Sequence, residues 1–127
     1  MQDRAKYEYA IIRIVPKVER EEFFNVGVIV FSRPKKFLKM KYHIDHNKLG
    51  SFVCEKDFEA LNAYLKGWDL VCKGEATGGA IGKLDITDRF RWLTASRSTI
   101  IQSSITHSGL TADPEQELET IFKDCVL

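Results

Sequence analysis

Three stretches between residues 7 and 44 alternate in the manner of strands. Residues 7–15, YEYAIIRIV, are aromatic and β-branched and stop at Pro16, which has no N–H to give to a ladder. One face of this segment carries Tyr7, Tyr9, Ile11, Arg13 and Val15, and the other Glu8, Ala10, Ile12 and Ile14. Both faces are largely apolar, so the pattern predicts a central strand. Residues 23–32, FFNVGVIVFS, predict a second strand in which Asn25 and Gly27 are out of pattern. Gly27 suits a bulge or a close backbone approach and Asn25 a local hydrogen bond; clearance for a ligand is the alternative. After the turn Arg33-Pro34-Lys35-Lys36, residues 37–44 alternate cleanly, with Leu38, Met40, Tyr42 and Ile44 inward and Lys39, Lys41 and His43 outward. That is the signature of a half-solvated antiparallel strand at an edge.

The period then changes. Phe58, Leu61, Leu65, Trp68 and Cys72 recur at three- and four-residue steps, predicting a helix over residues 54–73 with Gly74 as its stop. This stripe reads as core, and Gly67 as a weak point within it. Residues 75–83, EATGGAIGK, read as a mobile loop or a lid. Thr87 is a candidate cap for a short helix over residues 88–94, and residues 98–104 predict a fourth strand, followed by a His-Ser-Gly turn. Asp113-Pro114-Glu115-Gln116 is the clearest local signal: an N-cap, a proline at the first helical position and a glutamine placed to close a capping box. Leu118, Ile121, Phe122 and Cys125 supply the buried stripe of the helix that follows, and Glu115, Glu117 and Glu119 its acidic outer face. The order predicts one α+β domain over residues 1–127. Its mainly antiparallel, four-stranded sheet comprises a three-strand meander plus a later strand, packed with two main helices and one short helix.

Composition alters this picture little. With 127 residues, 44% apolar and 29% charged, the chain is long enough to bury a core, and its net charge of +1 creates no global pull toward nucleic acid or membrane. The first ten residues, MQDRAKYEYA, lack the apolar run of a signal peptide, and no run of about 18 apolar residues predicts a membrane span. The expectation is a cytoplasmic protein. Cys54, Cys72 and Cys125 are odd in number and widely spaced, which argues for reduced, buried thiols rather than a disulfide framework or a zinc site.

Few residues carry candidate chemistry. Arg13 shares a face with Ile11 and Val15, so it needs either an internal acceptor or an anionic ligand. Arg97, Ser98, Thr99, Gln102 and His107 crowd the segment around the fourth strand. Together with Arg13 and Asn25 they form the candidate ligand-binding set, on the expectation that Arg13 and Arg97 meet across the sheet around a phosphate or another anion. Arg33, Lys35, Lys36, Lys39, Lys41 and Lys48 form a basic cluster, read as a solvated edge or as a patch for phosphates or an acidic partner; nucleic acid is disfavoured because no aromatics interleave with the outward lysines. His43 and His46 around Asp45 lack a third ligand, so Asp45 reads as a cap and no metal is expected. Gly78-Gly79 and Gly82 do not form a dinucleotide fingerprint, and Lys83 precedes Leu84 rather than Ser or Thr, so no cofactor is expected either. No nucleophile–base pair or carboxylate pair has a familiar spacing, which favours a non-enzymatic binding module. Anion, nucleotide or nucleic-acid phosphate binding through the polar strand is the alternative, and a hydrolase using His107 with Ser98 or Ser104 is a third.

The segments YAIIRIVP, EFFNVGVIV and RFRWLTASRSTIIQSSITHSGLTADPEQELETIF resemble a bacterial family catalogued as domain of unknown function 3037. The most specific part runs from Arg89 to Leu118, where R-F-x-W-L, R-S-T, Q-x-S, H-x-G-L and D-P occur in order; Ser96 stands where many members carry proline. The resemblance implies a small bacterial protein, often encoded beside a HipA-like kinase, and so an accessory role with such a kinase as candidate partner. It implies no activity and carries over no catalytic residue.

Overall fold

The computed structural model describes residues 3–16, 22–50, 55–74, 78–97 and 99–127, with residues 55 and 56 described in backbone alone. Strand β1 (Ala5–Ile14) lies between β2 (Phe24–Ser32) and an outer strand made of two pieces, β4 (Ile101–Ser103) and β5 (His107–Thr111). On the far side of β2 lies β3 (Phe37–Tyr42), and every pairing is antiparallel. The sheet is thus α+β and antiparallel as expected, but five-stranded rather than four-stranded. Residues 107–109, read from sequence as a His-Ser-Gly turn, belong to a strand, while β4 is only three residues of the predicted seven.

A single inserted residue explains the split outer strand. Ile12 faces Ser103 and Tyr9 faces His107, so the two residues Ala10 and Ile11 oppose the three residues Ser104, Ile105 and Thr106. At this bulge the hydroxyl of Ser104 replaces a missing carbonyl: Ile11 N donates to Ser104 Oγ at 2.9 Å, while Ser104 N donates to Ile11 O at 2.8 Å. Ser104 Oγ in turn donates to Ile105 O. The ladder therefore continues across the bulge through Ile11 and Ser104.

A second irregularity lies in β2, where Ile12 faces Gly27 but Arg13 faces Asn25, leaving Val26 as the extra residue. Gly27 serves both roles expected of it, bulge and close approach. A β-carbon there would lie 2.9 Å from Lys41 O.

Both faces of the sheet are covered. Ile12, Ile14, Ile29 and Met40 pack with Leu61, Leu65 and Trp68 of α2 (Glu55–Lys73) and Phe90 and Leu93 of α4 (Ile86–Thr94). Ile11, Val28 and Val30 pack on the opposite side against Leu118, Phe122 and Val126, of which the first two belong to α5 (Pro114–Cys125) and Val126 caps it. The lysine face of β3 is therefore not a plain solvated edge: Lys39 and Lys41 pair with Glu115 and Glu119 of α5 at 2.6 and 2.7 Å. The acidic side of that helix is turned toward β3.

The remaining connections differ from the sequence pattern in detail. Asp45 caps a single turn, α1 (His46–Leu49), and the His46 ring stacks on Phe58 at 4.1 Å. The stretch read as a loop contains another turn, α3 (Gly79–Gly82); residues 75–77 lie outside the described residues. Asp85, not Thr87, caps α4, and the Thr87 hydroxyl instead accepts from Arg33. Asp113 caps α5 as predicted, with Pro114 in its first turn, but no capping box closes, since the Gln116 amide turns to Thr120. Cys72 is buried, which pushes its thiol up to about 12; Cys125 is exposed rather than buried, and Cys54 lies outside the described residues. No described helix is long and apolar enough to cross a membrane.

Candidate functional site

A large cavity opens between α2, α3, α4 and the approach to β4. It encloses about 760 Å³, within the range of pockets that hold ligands or anchoring side chains. Ala60, Ala63, Tyr64, Gly67 and Val71 of α2 form its floor, Ile81 and Trp92 its sides, and Thr99, Ile100 and Ile101 close it from the sheet. The floor has a simple origin. Helix α2 buries Leu61, Leu65, Trp68 and Cys72 in the core, and the adjacent row at positions 60, 63, 64, 67 and 71 is also uncharged, with three very small residues. Tyr64 is 60% exposed and Trp92 36%, so the cleft has an apolar rim.

Gly67 is the informative position. A glycine inside a helix costs about 1 kcal/mol relative to alanine, usually because another group needs the space. Here a β-carbon at Gly67 would meet nothing within 4 Å. The vacant space above it is the cleft itself.

Among the described residues, the only charged side chain in the lining is Arg97. Its guanidinium lies 4.8 Å from the ring centres of both Trp68 and Trp92. Nη1 donates to Leu93 O at 2.8 Å and Ala95 O at 3.3 Å, and Nη2 donates to Trp92 O. These carbonyls end α4, so Arg97 acts as a C-terminal cap packed against two indoles. Partial burial lowers its pKa.

Arg13 lies elsewhere. It alternates with Ile12 and Ile14, which face α2 and α4, and its cross-strand neighbours are Asn25 and Gln102. Asn25 donates to Cys125 O of α5, placing this row on the α5 side of the sheet. The two arginines thus belong to opposite faces and do not meet, correcting the expectation that they converge on one anion. Arg13 packs its guanidinium 4.1 Å from the Phe23 ring centre, and neither Arg13 Nε nor Asn25 Oδ1, both buried, has a hydrogen-bond partner among the described residues.

The sequence pattern of a family described as "Protein of unknown function (DUF3037)" matches residues 9–126, a span that includes the cleft and both faces of the sheet. The chain belongs to that family. No curated protein and no solved structure matches it.

The other predicted residues of this DUF3037 protein are scattered. Thr99 borders the cleft near Arg97, but its hydroxyl donates to Ile101 O; the Gln102 amide donates to Thr99 O. Ser98 lies outside the described residues. His107 is exposed on β5, its ring 5.0 Å from that of its cross-strand partner Tyr9. Ser104 is committed to the bulge, so the serine–histidine contact a hydrolase needs is absent among the described residues.

Of the cleft, the sequence pattern marked Arg97 and Thr99 and missed Tyr64, Gly67 and Trp92. The available signal was the second uncharged row on α2, overshadowed by the stronger core stripe beside it.

Proposed function

We propose that this DUF3037 protein is a non-enzymatic accessory module that receives an apolar segment of a protein partner in the α2–α4 cleft. The vacancy over Gly67 carries the reading. A destabilising residue, placed where no described residue packs, leaves room for something outside it. The exposed Tyr64 and Trp92 rim supports a macromolecular occupant, since contiguous exposed apolar surface marks interaction sites. The family resemblance supplies the candidate partner, a HipA-like kinase.

Two substitutions at one position test this. Gly67→Ala should raise stability by about 1 kcal/mol, seen as a higher melting temperature. Gly67→Phe should fill the cleft and abolish co-purification with a co-expressed HipA-like kinase, while Lys123→Glu on the far side of the sheet leaves capture intact. Capture that survives Gly67→Phe would remove the cleft from the reading, and no capture by wild type would remove this partner.

A second reading rests on the row Asn25, Arg13 and Gln102. A half-buried guanidinium without a carboxylate among the described residues, beside an unpartnered amide oxygen, suits a small anion that also donates a hydrogen bond, such as a phosphate monoester. It predicts that phosphate raises the melting temperature of wild type but not of Arg13→Leu. Equal shifts, or none, would count against it.

A further inference from the structure

Resting on the cleft reading, we infer that the segment seated there presents an aspartate or glutamate carboxylate to Arg97, next to an apolar residue over Gly67. A guanidinium has five N–H donors, and Arg97 makes three hydrogen bonds, from Nη1 and Nη2, to the carbonyls of Trp92, Leu93 and Ala95. Its Nε–H makes none to a described residue and has an N–H of Nη2 beside it. These lie along one edge of the guanidinium plane, parallel, at the separation of two carboxylate oxygens. Among the described residues no carboxylate occupies that edge.

Three features make the edge a prepared site rather than a stray cation. The rings of Trp68 and Trp92 pack against the guanidinium, and the three carbonyls fix its rotation within the plane, so little side-chain freedom remains to be lost on binding. The group is partly withdrawn from water, so its charge is less screened than that of a surface arginine. The adjoining lining is apolar, so a carboxylate carried in by an apolar neighbour forms its bond in a low-dielectric setting. An acidic residue without that neighbour would remain hydrated at the rim. An apolar residue alone would cover the cleft and bury the Nε–H unpaired, which is unfavourable.

The chain contains two tryptophans, and both pack against Arg97, so intrinsic fluorescence reports on this site directly. The full chain is titrated with the capped tripeptides acetyl-Phe-Glu-Leu-amide and acetyl-Phe-Gln-Leu-amide. The glutamate peptide should bind at least about tenfold more tightly, as expected for a charged hydrogen-bond pair, with the advantage shrinking as salt is added. Arg97→Lys keeps the charge but not the two-donor edge, and should bring the ratio near unity while the glutamine peptide binds as before. If that variant fails to fold, the wild-type ratio decides alone. Equal affinity for both peptides would overturn the carboxylate inference and leave the cleft reading standing. No response to either peptide, with kinase capture still lost in Gly67→Phe, would also overturn the inference alone. A response to free 4-phenylbutyrate but to neither peptide would reassign the site to a small-molecule acid.

Discussion

Gly27→Val is expected to be the most damaging single change to this fold, with little soluble protein recovered. A β-carbon at this position would lie 2.9 Å from Lys41 O, 3.0 Å from Tyr42 Cβ and 3.1 Å from Ile12 Cδ1. Two of these atoms belong to the β3 segment that pairs with Gly27 itself, and the third is fully buried core. None can retreat without opening the ladder on one side or the α2-facing core on the other. Overpacking of this kind costs about 1–3 kcal/mol for one added carbon and more for a branched side chain. Gly27→Ala should therefore lower the melting temperature by roughly 5–15 °C, and Gly27→Val should exceed that. A Gly27→Ala melt indistinguishable from wild type would show that the two strands separate more readily than their register implies. The contrast with Gly67 is a sharp check: alanine should destabilise at position 27 and stabilise at position 67, because one glycine meets backbone and the other meets open space.

That contrast also marks how much of the fold is legible in the sequence. Periodicity placed β1, β2, β3, α2 and α5 close to where they lie, because long apolar runs of period 2 or 3.6 leave few packing choices. It placed β1 at the centre, since both of its faces are apolar. Periodicity had less success with the outer strand, because Ser104 substitutes a hydroxyl for a backbone carbonyl at a bulge. A run rich in serine therefore looked like a polar face, although it contains a buried, satisfied joint. The lysines of β3 misled for another reason. Their charged ends reach α5 glutamates over a face that the same helix helps to cover, and alternation cannot distinguish a solvated lysine from one lying along a helix.

The candidate site was half legible. The sequence marks Arg97 within a run of hydrogen-bonding side chains, and its described bonds go to the end of its own neighbouring helix. Arg13 stands out because it shares a strand face with Ile11 and Val15, and it lies on the other face of the sheet. Strand register decides which side chains share a face, and an inserted residue such as Val26 changes that register without a mark in composition. Gly67 could be recognised only as a weak helix position until the space above it was visible.

Arg89→Leu should lower stability by about 3 kcal/mol, the second large effect, and should disturb the cleft as well. Arg89 Nη1 donates to Val71 O at 2.9 Å and Cys72 O at 2.7 Å, and Nε donates to Leu84 O at 3.1 Å. The first two carbonyls end α2, so this arginine does for α2 what Arg97 does for α4. A cation there also complements the negative end of the helix. Gly74 completes the arrangement. Its φ of 71° stops the helix in the left-handed conformation, and its missing side chain admits the guanidinium, since a β-carbon would lie 2.8 Å from Arg89 Nη1. Each charged hydrogen bond contributes about 1.5–3 kcal/mol, part of which rehydration of the freed carbonyls restores, giving the total of about 3. Arg89→Lys should rescue little, because one ammonium on a flexible stem cannot reach both helix end and loop. Because α2 supplies the floor of the cleft and α4 one side, loosening this clamp should also shift the tryptophan emission at temperatures well below the melt. A melting temperature unchanged in Arg89→Leu would mean that water serves these carbonyls equally well. An emission shift without loss of stability would mean that the clamp sets the width of the cleft and contributes little to holding the fold.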